Sequence, residues 1–536
     1  MEALRRFMAI VVADLRERSR TPRFWIVLGL VAWATWGCFP SLQSGMVSVS
    51  FGDNARGAYS SAWIGMTVGL IQATLLSLVG FYLVRGTLVR DFDTRVWQLL
   101  VATPMTRSAY LLAKWASHMA VFSLLLFASV AVGLLAQWVR AEDRAIDLVE
   151  LCKPAVLLAL PSLAFTAFLA VLFDLIPWTR RTLGNVLYFF VWTTVLAVSA
   201  NLLEKNGVPN ASPWLSDPGG MIMAGRDLIH GLASTAPWVD THSLSVTVPM
   251  GDPVKVRLFA WTHWTPNAEA ALGRMLWVVL PMLAVAALAP LLDRAATRTQ
   301  AAKARANSGR RLRWLDRVLG FLDYSATGRL VSAELKGVLR ARVGWWWLAL
   351  AISWGVQAAG SKDAMTIAVI VAWLASTDVF SRAILRERSA GTGALVFTAV
   401  GAAKRLLVAR VSVSLVLALF AALPALVRLG VGHDAAALVL LVVAVQVALL
   451  GLAFGVVFRS PRPFELGLVV VGYMGVQGQG PLAFAAASSG PAPYLVMIAA
   501  SMGVLVVGWG LMTSNAVIVQ RLPKFSGLFR KFAYRG

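Results

Sequence analysis

Twelve apolar runs, most of them about 17–25 residues long, recur along this chain and restrict its fold more than any other feature. A helix of that length crosses the hydrocarbon core of a bilayer. In lipid every backbone N–H and C=O must be satisfied internally, so such runs fold as membrane-spanning helices. The spans are expected at 24–40, 62–84, 109–137, 153–177, 184–203 and 271–292, then at 343–359, 364–384, 406–427, 436–457, 464–478 and 494–514. A hydrophobic fraction of 58%, against the usual ~45–50%, excludes an ordinary soluble domain.

The formal charge of +23 suggests nucleic acid only until the basic residues are located. They fall in alternate loops: Arg85, Arg90, Arg95 and Arg107; Arg180 and Arg181; the linker Arg294–Arg317; Arg382–Arg410; Arg459–Arg462; and the C-terminal stretch from Arg521. The intervening loops are short, mixed or acidic, with Asp53 and Arg56, with Glu142, Asp143 and Arg144, or with Lys362 and Asp363. Lys and Arg are retained on the cytoplasmic side, so the excess is topological. Twelve spans with a cytoplasmic start put both termini inside, and no nucleic-acid partner is expected. Residues 1–20 place Leu4, Phe7, Met8, Val11 and Leu15 on one helical face, away from Arg5, Arg16 and Arg20, which reads as an amphipathic helix in the cytoplasmic interface. The apolar run Phe7–Ala13 ends at Asp14 and lacks a small-residue cleavage site, so no cleavable signal is expected. Cys38 and Cys152 supply neither a disulfide framework nor a zinc site.

The chain carries two versions of one polar stretch. Arg90 set over Arg386 aligns Asp91 with Glu387, Leu99 with Leu395, Leu111 with Leu407, Ala113 with Ala409 and Lys114 with Arg410, and each copy follows the second span of its half. Ala333-Glu334-Leu335 likewise echoes Ala13-Asp14-Leu15, Arg340 matches Arg20, and Trp345 matches Trp25. The expected architecture is therefore an all-α polytopic membrane protein of about twelve helices, arranged as two parallel six-helix repeats. Its parts are 1–292, a basic cytoplasmic linker at 293–328, and 329–536. The first half alone has a long external insertion, about 204–270. In it, HSLSVTVP and VKVRLFAW flank Met250-Gly251-Asp252-Pro253 and read as two strands and a turn, a β-hairpin. Trp214, Trp238, Trp261 and Trp264 either pack this cap or offer a platform to a substrate or an external protein.

Chemistry is scarce. Asp174, Asp378 and Glu465 stand near cytoplasmic span ends, where side chains reach water, and His118 near the inner end of the third span reads as a packed residue. A proton- or sodium-driven carrier ordinarily needs carboxylates near mid-membrane. No P-loop, HExxH, paired cysteines or G-x-S-x-G elbow is present, so no catalytic site, metal or cofactor is expected on the chain. Glycines 451, 455, 472, 475 and 478 read as helix-packing positions, and Gly478–Pro493 as a half-span that turns back.

With these residues in place, each half resembles the six-span permease unit of the type-2 ABC exporter family. That family has an interfacial helix before span one and a cytoplasmic coupling helix between spans two and three. Its coupling region reads as an acidic pair, Gly-Thr, a Leu-rich turn and Thr-Pro, with a Lys beyond. The first half keeps Arg90, Asp91, Leu99, Thr103, Pro104 and Lys114 but has Arg95-Val96 at the Gly-Thr position; the second keeps Arg386, Glu387, Gly391 and Thr392 but has Ala399-Val400 for Thr-Pro. The resemblance implies an export permease; a pathway poor in charge suits an amphiphilic substrate, and the Ala-, Val- and Arg-rich usage suits a bacterial inner membrane. The resemblance also implies a separate cytoplasmic P-loop ATPase, two copies per chain, holding ATP-Mg. Val96, Leu99 and Leu100 would then rest on the bundle, with Arg90, Asp91 and Arg95 facing the cytosol. The alternatives are a secondary carrier of major-facilitator type, whose Gly…Asp-Arg…Gly-Arg loop is missing here, and a non-transporting scaffold related to ABC permeases.

Overall fold

The computed structural model of the chain describes residues 2–52, 54–94, 96, 104–180, 182–204, 217–240, 244–246, 255–295, 313–342, 344–387, 392–397, 399, 401–476, 480–482, 484 and 492–521. It is mostly helical and divides into two compact units, Met1–Ala304 and Arg305–Gly536.

Among the described residues seven helices are long and apolar enough to cross a bilayer: Ser61–Asp93, Arg107–Arg140, Leu148–Leu175, Ala268–Ala287, Lys362–Leu385, Ala436–Phe458 and Pro493–Thr513. The pair Ala402–Ala421 and Leu423–Val431, bent by 63°, makes an eighth if counted as one span. Shorter apolar helices occupy Phe24–Gly37, Leu187–Asn201 and Pro463–Val476. The chain is a membrane protein.

In unit 1, helix α1 (Glu2–Ser19) precedes α2 (Pro22–Gly37). Then come α3 (Ser61–Ile71), a π-helical turn at Gln72–Leu76, and α4 (Ser77–Val84), within the candidate span Ser61–Asp93. Gly86, at φ +85°, then reverses the backbone into α5 (Thr87–Asp93), a conformation glycine adopts without Cβ strain. Next come α6 (Arg107–Arg140), α7 (Leu148–Pro154), a second π-turn at Ala155–Ala159, α8 (Leu160–Leu175), α9 (Thr182–Glu204), α10 (Met221–Thr235) and α11 (Ala268–Ala287). A π-turn frees backbone carbonyls, and Arg274 of α11 takes two of them: Nε donates to Leu157 O at 3.0 Å and Nη2 to Leu158 O at 2.8 Å. The same guanidinium donates to the backbone oxygen of Asp217, whose buried side chain accepts from Met223 N at 3.0 Å. Burial raises the Asp217 carboxyl above its ordinary range against the opposing charge of Arg274.

A small β-sheet cap corrects the expected hairpin. Its strands, β1 (Val49–Phe51), β2 (Ala55–Gly57), β3 (Leu244–Val246) and β4 (Arg257–Phe259), form one sheet in the order β3-β1-β2-β4. The hairpin is β1–β2, turning through Gly52 (φ +40°) and Asn54 (φ +59°). The insertion's own strands do not pair with each other: β3 joins β1 antiparallel, Val49 opposite Val246, and β4 joins β2 in parallel, Ala55 opposite Arg257. Apolar side chains from both loops must share one core, which separates β3 from β4. Trp261 and Trp264 are buried in that core with Phe51, Trp63 and Phe259, the packing alternative, while Trp238 is half exposed under Arg257. Trp214 and the turn Met250–Pro253 lie outside the described residues.

Unit 2 begins with α12 (Arg313–Val318), a 3₁₀ turn at Gly320–Tyr324, α13 (Ala326–Arg340) and α14 (Gly344–Ala359). The candidate span Lys362–Leu385 is made of α15 (Lys362–Leu374) and α16 (Thr377–Arg382), running into a 3₁₀ turn at Ala383–Leu385. After α17 (Gly393–Val396) come α18 (Ala402–Ala421), α19 (Leu423–Val431), α20 (Ala436–Phe458), α21 (Arg462–Val476) and α22 (Ala492–Arg521). Pro424 cannot continue the ladder of α18, and Gln357 of α14 serves the break: Nε2 donates to Ala421 O at 3.0 Å and Oε1 accepts from Ala425 N at 3.3 Å. Gly451 and Gly455 are packing positions. A Cβ on either would stand 2.6 Å from Phe380 or Ile384. Gly478 and most of the half-span after it lie outside the described residues.

Candidate functional site

The residues singled out around the two aligned stretches come together as a buried charge cluster in each unit. In unit 1, α5 carries Arg90 and Asp91, and Lys114 stands two turns into α6. Thr106 caps α6 by accepting from Ala109 N at 3.3 Å, which fixes where that helix starts. Lys114 is buried. Its Nζ donates to both Asp14 oxygens at 3.0 Å and lies 2.8 Å from Asp91 Oδ2. Tyr110 OH donates to the same Asp91 oxygen at 2.6 Å. Arg90 closes the rim, paired with Glu17 and 3.9 Å from both Asp14 and Asp91. The cluster thus ties α1, α5 and α6 at one point.

Unit 2 repeats the arrangement with the residues that the sequence aligns. Arg410 of α18 is buried and pairs with Glu387, and Glu334 of α13 lies 4.0 Å from it. Arg386 pairs with Glu334 at the rim. Arg410 also stacks over the Trp509 ring, 5.5 Å from its centroid. Here α13, the turn after α16, and α18 meet. Thr392 N donates to Glu387 O at 2.9 Å, folding the chain back beneath the cluster.

Three expectations are corrected. Asp91 does not face the cytosol: it is 6% exposed, as its counterpart Glu387 is 9% exposed, because the cation of the next helix would otherwise be buried without a counter-charge. Val96 does not rest on the bundle; it is 40% exposed, and Leu395 is 76% exposed. Pro104 and Thr392 are also exposed. Arg95, Leu99, Leu100, Thr103 and Gly391 lie outside the described residues.

Asp174 is the third correction. Far from reaching water, it is fully buried at the end of α8 and accepts from Gly86 N at 2.9 Å and Leu88 N at 3.3 Å, with Arg85 Nε 3.8 Å away. It holds the start of α5, as Lys114 and Tyr110 hold its middle. His118, also buried, is hydrogen-bonded to Thr87 at 3.1 Å, the packed role expected of it. Sequence reasoning missed Arg274. Its signal was there, one arginine inside the apolar run 271–292, where a charge is costly and therefore purposeful.

A cavity of about 40 Å³ lies between α4, α8 and α9, lined by Thr74, Ser162, Thr166, Tyr188, Trp192 and Ser199. It has room for about one water. Cys38 and Cys152 are both free thiols, one buried and one exposed. Among the described residues no group of three His, Cys, Asp or Glu side chains could hold a metal ion. No protein-family model matches the chain, and no curated protein or solved structure matches it at a significant level.

Proposed function

We propose that the chain is the membrane-spanning permease of an ABC exporter, a twelve-span bundle of two parallel six-helix repeats in a bacterial inner membrane with both termini cytoplasmic. A separate P-loop ATPase, two copies per chain, binds ATP-Mg and supplies the energy, and the cargo is an amphiphile. One observation carries this reading: each unit gathers an acid from the helix before its first span, an Arg-acid pair after its second, and a cation at the base of its third, at positions matched by the internal duplication.

Such a cluster suits force transmission. The exposed Val96 and Leu395 offer the contact to the ATPase. A push on α5 passes through Asp91 to Lys114 and α6, and through Lys114 to Asp14 and α1. Spans two and three and the interfacial helix then move as a body, because a paired buried charge cannot be parted cheaply in a low-dielectric setting.

The test is copurification from membranes solubilised under conditions that preserve complexes. A P-loop ATPase is expected with the wild type and not with Val96→Glu and Leu395→Glu combined, whose thermal unfolding should be unchanged because both positions are exposed. Lysine at 91 or 387 is unsuitable, since it would confront Lys114 or Arg410 and unfold the unit. Absence of any ATPase from the wild-type preparation sinks the reading.

A further inference from the structure

The segment leading into α13 presents a surface that the linker role leaves unexplained. Val318, Phe321 and Tyr324 recur every third residue through the end of α12 and the 3₁₀ turn, and they are 55%, 65% and 93% exposed. They are not loosely held. Leu315 and Leu319 are buried on the opposite side of the same segment. Asp316 accepts from Arg340 at 2.7 Å with Lys336 3.6 Å away, and Asp323 lies 3.8 Å from Lys336. Ser325 then caps α13, accepting from Gly328 N at 2.9 Å. A segment pinned by ion pairs so that its aromatic side points outward has an occupant for that side.

Two observations identify the occupant as a lipid surface. The first is register. Tyr324 precedes Glu334 by ten residues, as Leu4 precedes Asp14 (334 − 324 = 10; 14 − 4 = 10). Leu4 is itself 66% exposed on the helix whose apolar face reads as interfacial. The second is charge. Residues 294–317 hold eight Lys or Arg (Arg294, Arg298, Lys303, Arg305, Arg310, Arg311, Arg313 and Arg317) against one acid, Asp316. A polybasic stretch next to exposed aromatic residues is drawn to anionic headgroups. A tyrosine suits the headgroup level, ring toward the acyl chains and hydroxyl toward water.

We infer that residues 313–324 form a membrane foot, with Val318, Phe321 and Tyr324 inserted into an anionic cytoplasmic-leaflet interface. The inference rests on the cytoplasmic placement of this segment in the proposed topology and stands apart from the ATPase reading.

The experiment uses the full chain carrying Cys152→Ser, with buried Cys38 left in place, and a nitroxide on Phe321→Cys, on Tyr324→Cys or, as a control exposed on the opposite helix face, on Ala333→Cys. Each is reconstituted in phosphatidylcholine vesicles with and without phosphatidylglycerol, and collision with oxygen is compared with collision with a water-soluble nickel complex. Labels at 321 and 324 should favour oxygen in the anionic vesicles and shift toward nickel at high salt or without phosphatidylglycerol, while the label at 333 favours nickel throughout. Labels at 321 and 324 as open to nickel as that at 333 in every vesicle overturn the inference. So does shielding from both probes, which would mark a protein neighbour, and so does equal insertion in both vesicle types, which would remove the anionic requirement.

Discussion

Lys114 and Arg410 occupy the same place in the two units and satisfy it differently. The lysine is a compact charge with three donors, and it shares them between carboxylates on two helices while Tyr110 adds a fourth contact. The arginine is a planar fork facing two glutamates, each one methylene longer than its aspartate counterpart. It reaches Glu387, but its Nε and Nη1 and the Glu387 Oε2 find no partner among the described residues. Leu406 stands where unit 1 has Tyr110, and the Trp509 face takes the hydroxyl's place. The two matched sites therefore keep one charge pattern while exchanging hydrogen bonds for stacking.

That contrast predicts unequal costs. Lys114→Met leaves two buried carboxylates facing each other, and should destabilise unit 1 by about 3–5 kcal/mol. Arg410→Met removes a cation already short of partners, so its cost should fall clearly below that. Amide exchange resolves the two cases, read at α1 and the base of α6 for unit 1 and at α13 and the base of α18 for unit 2. Equal losses of protection would break the comparison, since the unmet donors of Arg410 would then carry no energetic meaning.

The junction between the second and fourth spans separates the units again. In unit 1 a buried carboxylate does the joining, Asp174 receiving the amides at the start of α5. In unit 2 close packing does it, with Ser381 O 2.7 Å from where a Cβ on Gly455 would stand. Asp174→Ala should cost about 2–3 kcal/mol through stranded amides and the loss of a counter-charge beside Arg85. Gly455→Leu should cost about 1–3 kcal/mol through overpacking. Each loss should appear as faster exchange confined to its own unit, and a loss of protection spread over both would show that the junctions are not separate.

How much of this was legible follows from what sequence encodes locally. Seven of the expected spans, or eight with the bent pair, carry helices long and apolar enough to cross a bilayer among the described residues, because a long apolar run needs no partner to be read, while the runs at 24–40, 184–203 and 464–478 carry shorter helices. The aligned charges were legible as matched positions, residue for residue, but not as a cluster. Lys114 lies far along the chain from Asp14, and only packing brings α1 beside α6. The inward turn of Asp91 was hidden for the same reason: its hydrophilic neighbours Arg90 and Asp93 make the stretch look solvated from end to end. The cap was least readable. Its strands are three residues long, below any alternation signal, and β1 finds β3 across some two hundred residues of chain.

The smallest expected effect tests whether the exchange of hydroxyl for stacking is reversible. Tyr110→Phe removes only the 2.6 Å donation to Asp91, which retains Lys114, so the cost should sit near the low end for a hydrogen bond to a charge, about 1.5 kcal/mol. The converse change, Leu406→Tyr, offers a hydroxyl at the matched position in unit 2, where Glu387 Oε2 lacks a donor. It also adds ring volume against a cluster that already holds Trp509 and Leu385, and these two terms oppose each other. If the donor is what unit 2 lacks, Leu406→Tyr combined with Trp509→Leu should recover protection at α18 that Trp509→Leu alone loses. If the double variant exchanges as fast as Trp509→Leu, the indole supplies packing rather than a substitute for the hydroxyl, and the two clusters are alike only in their charges.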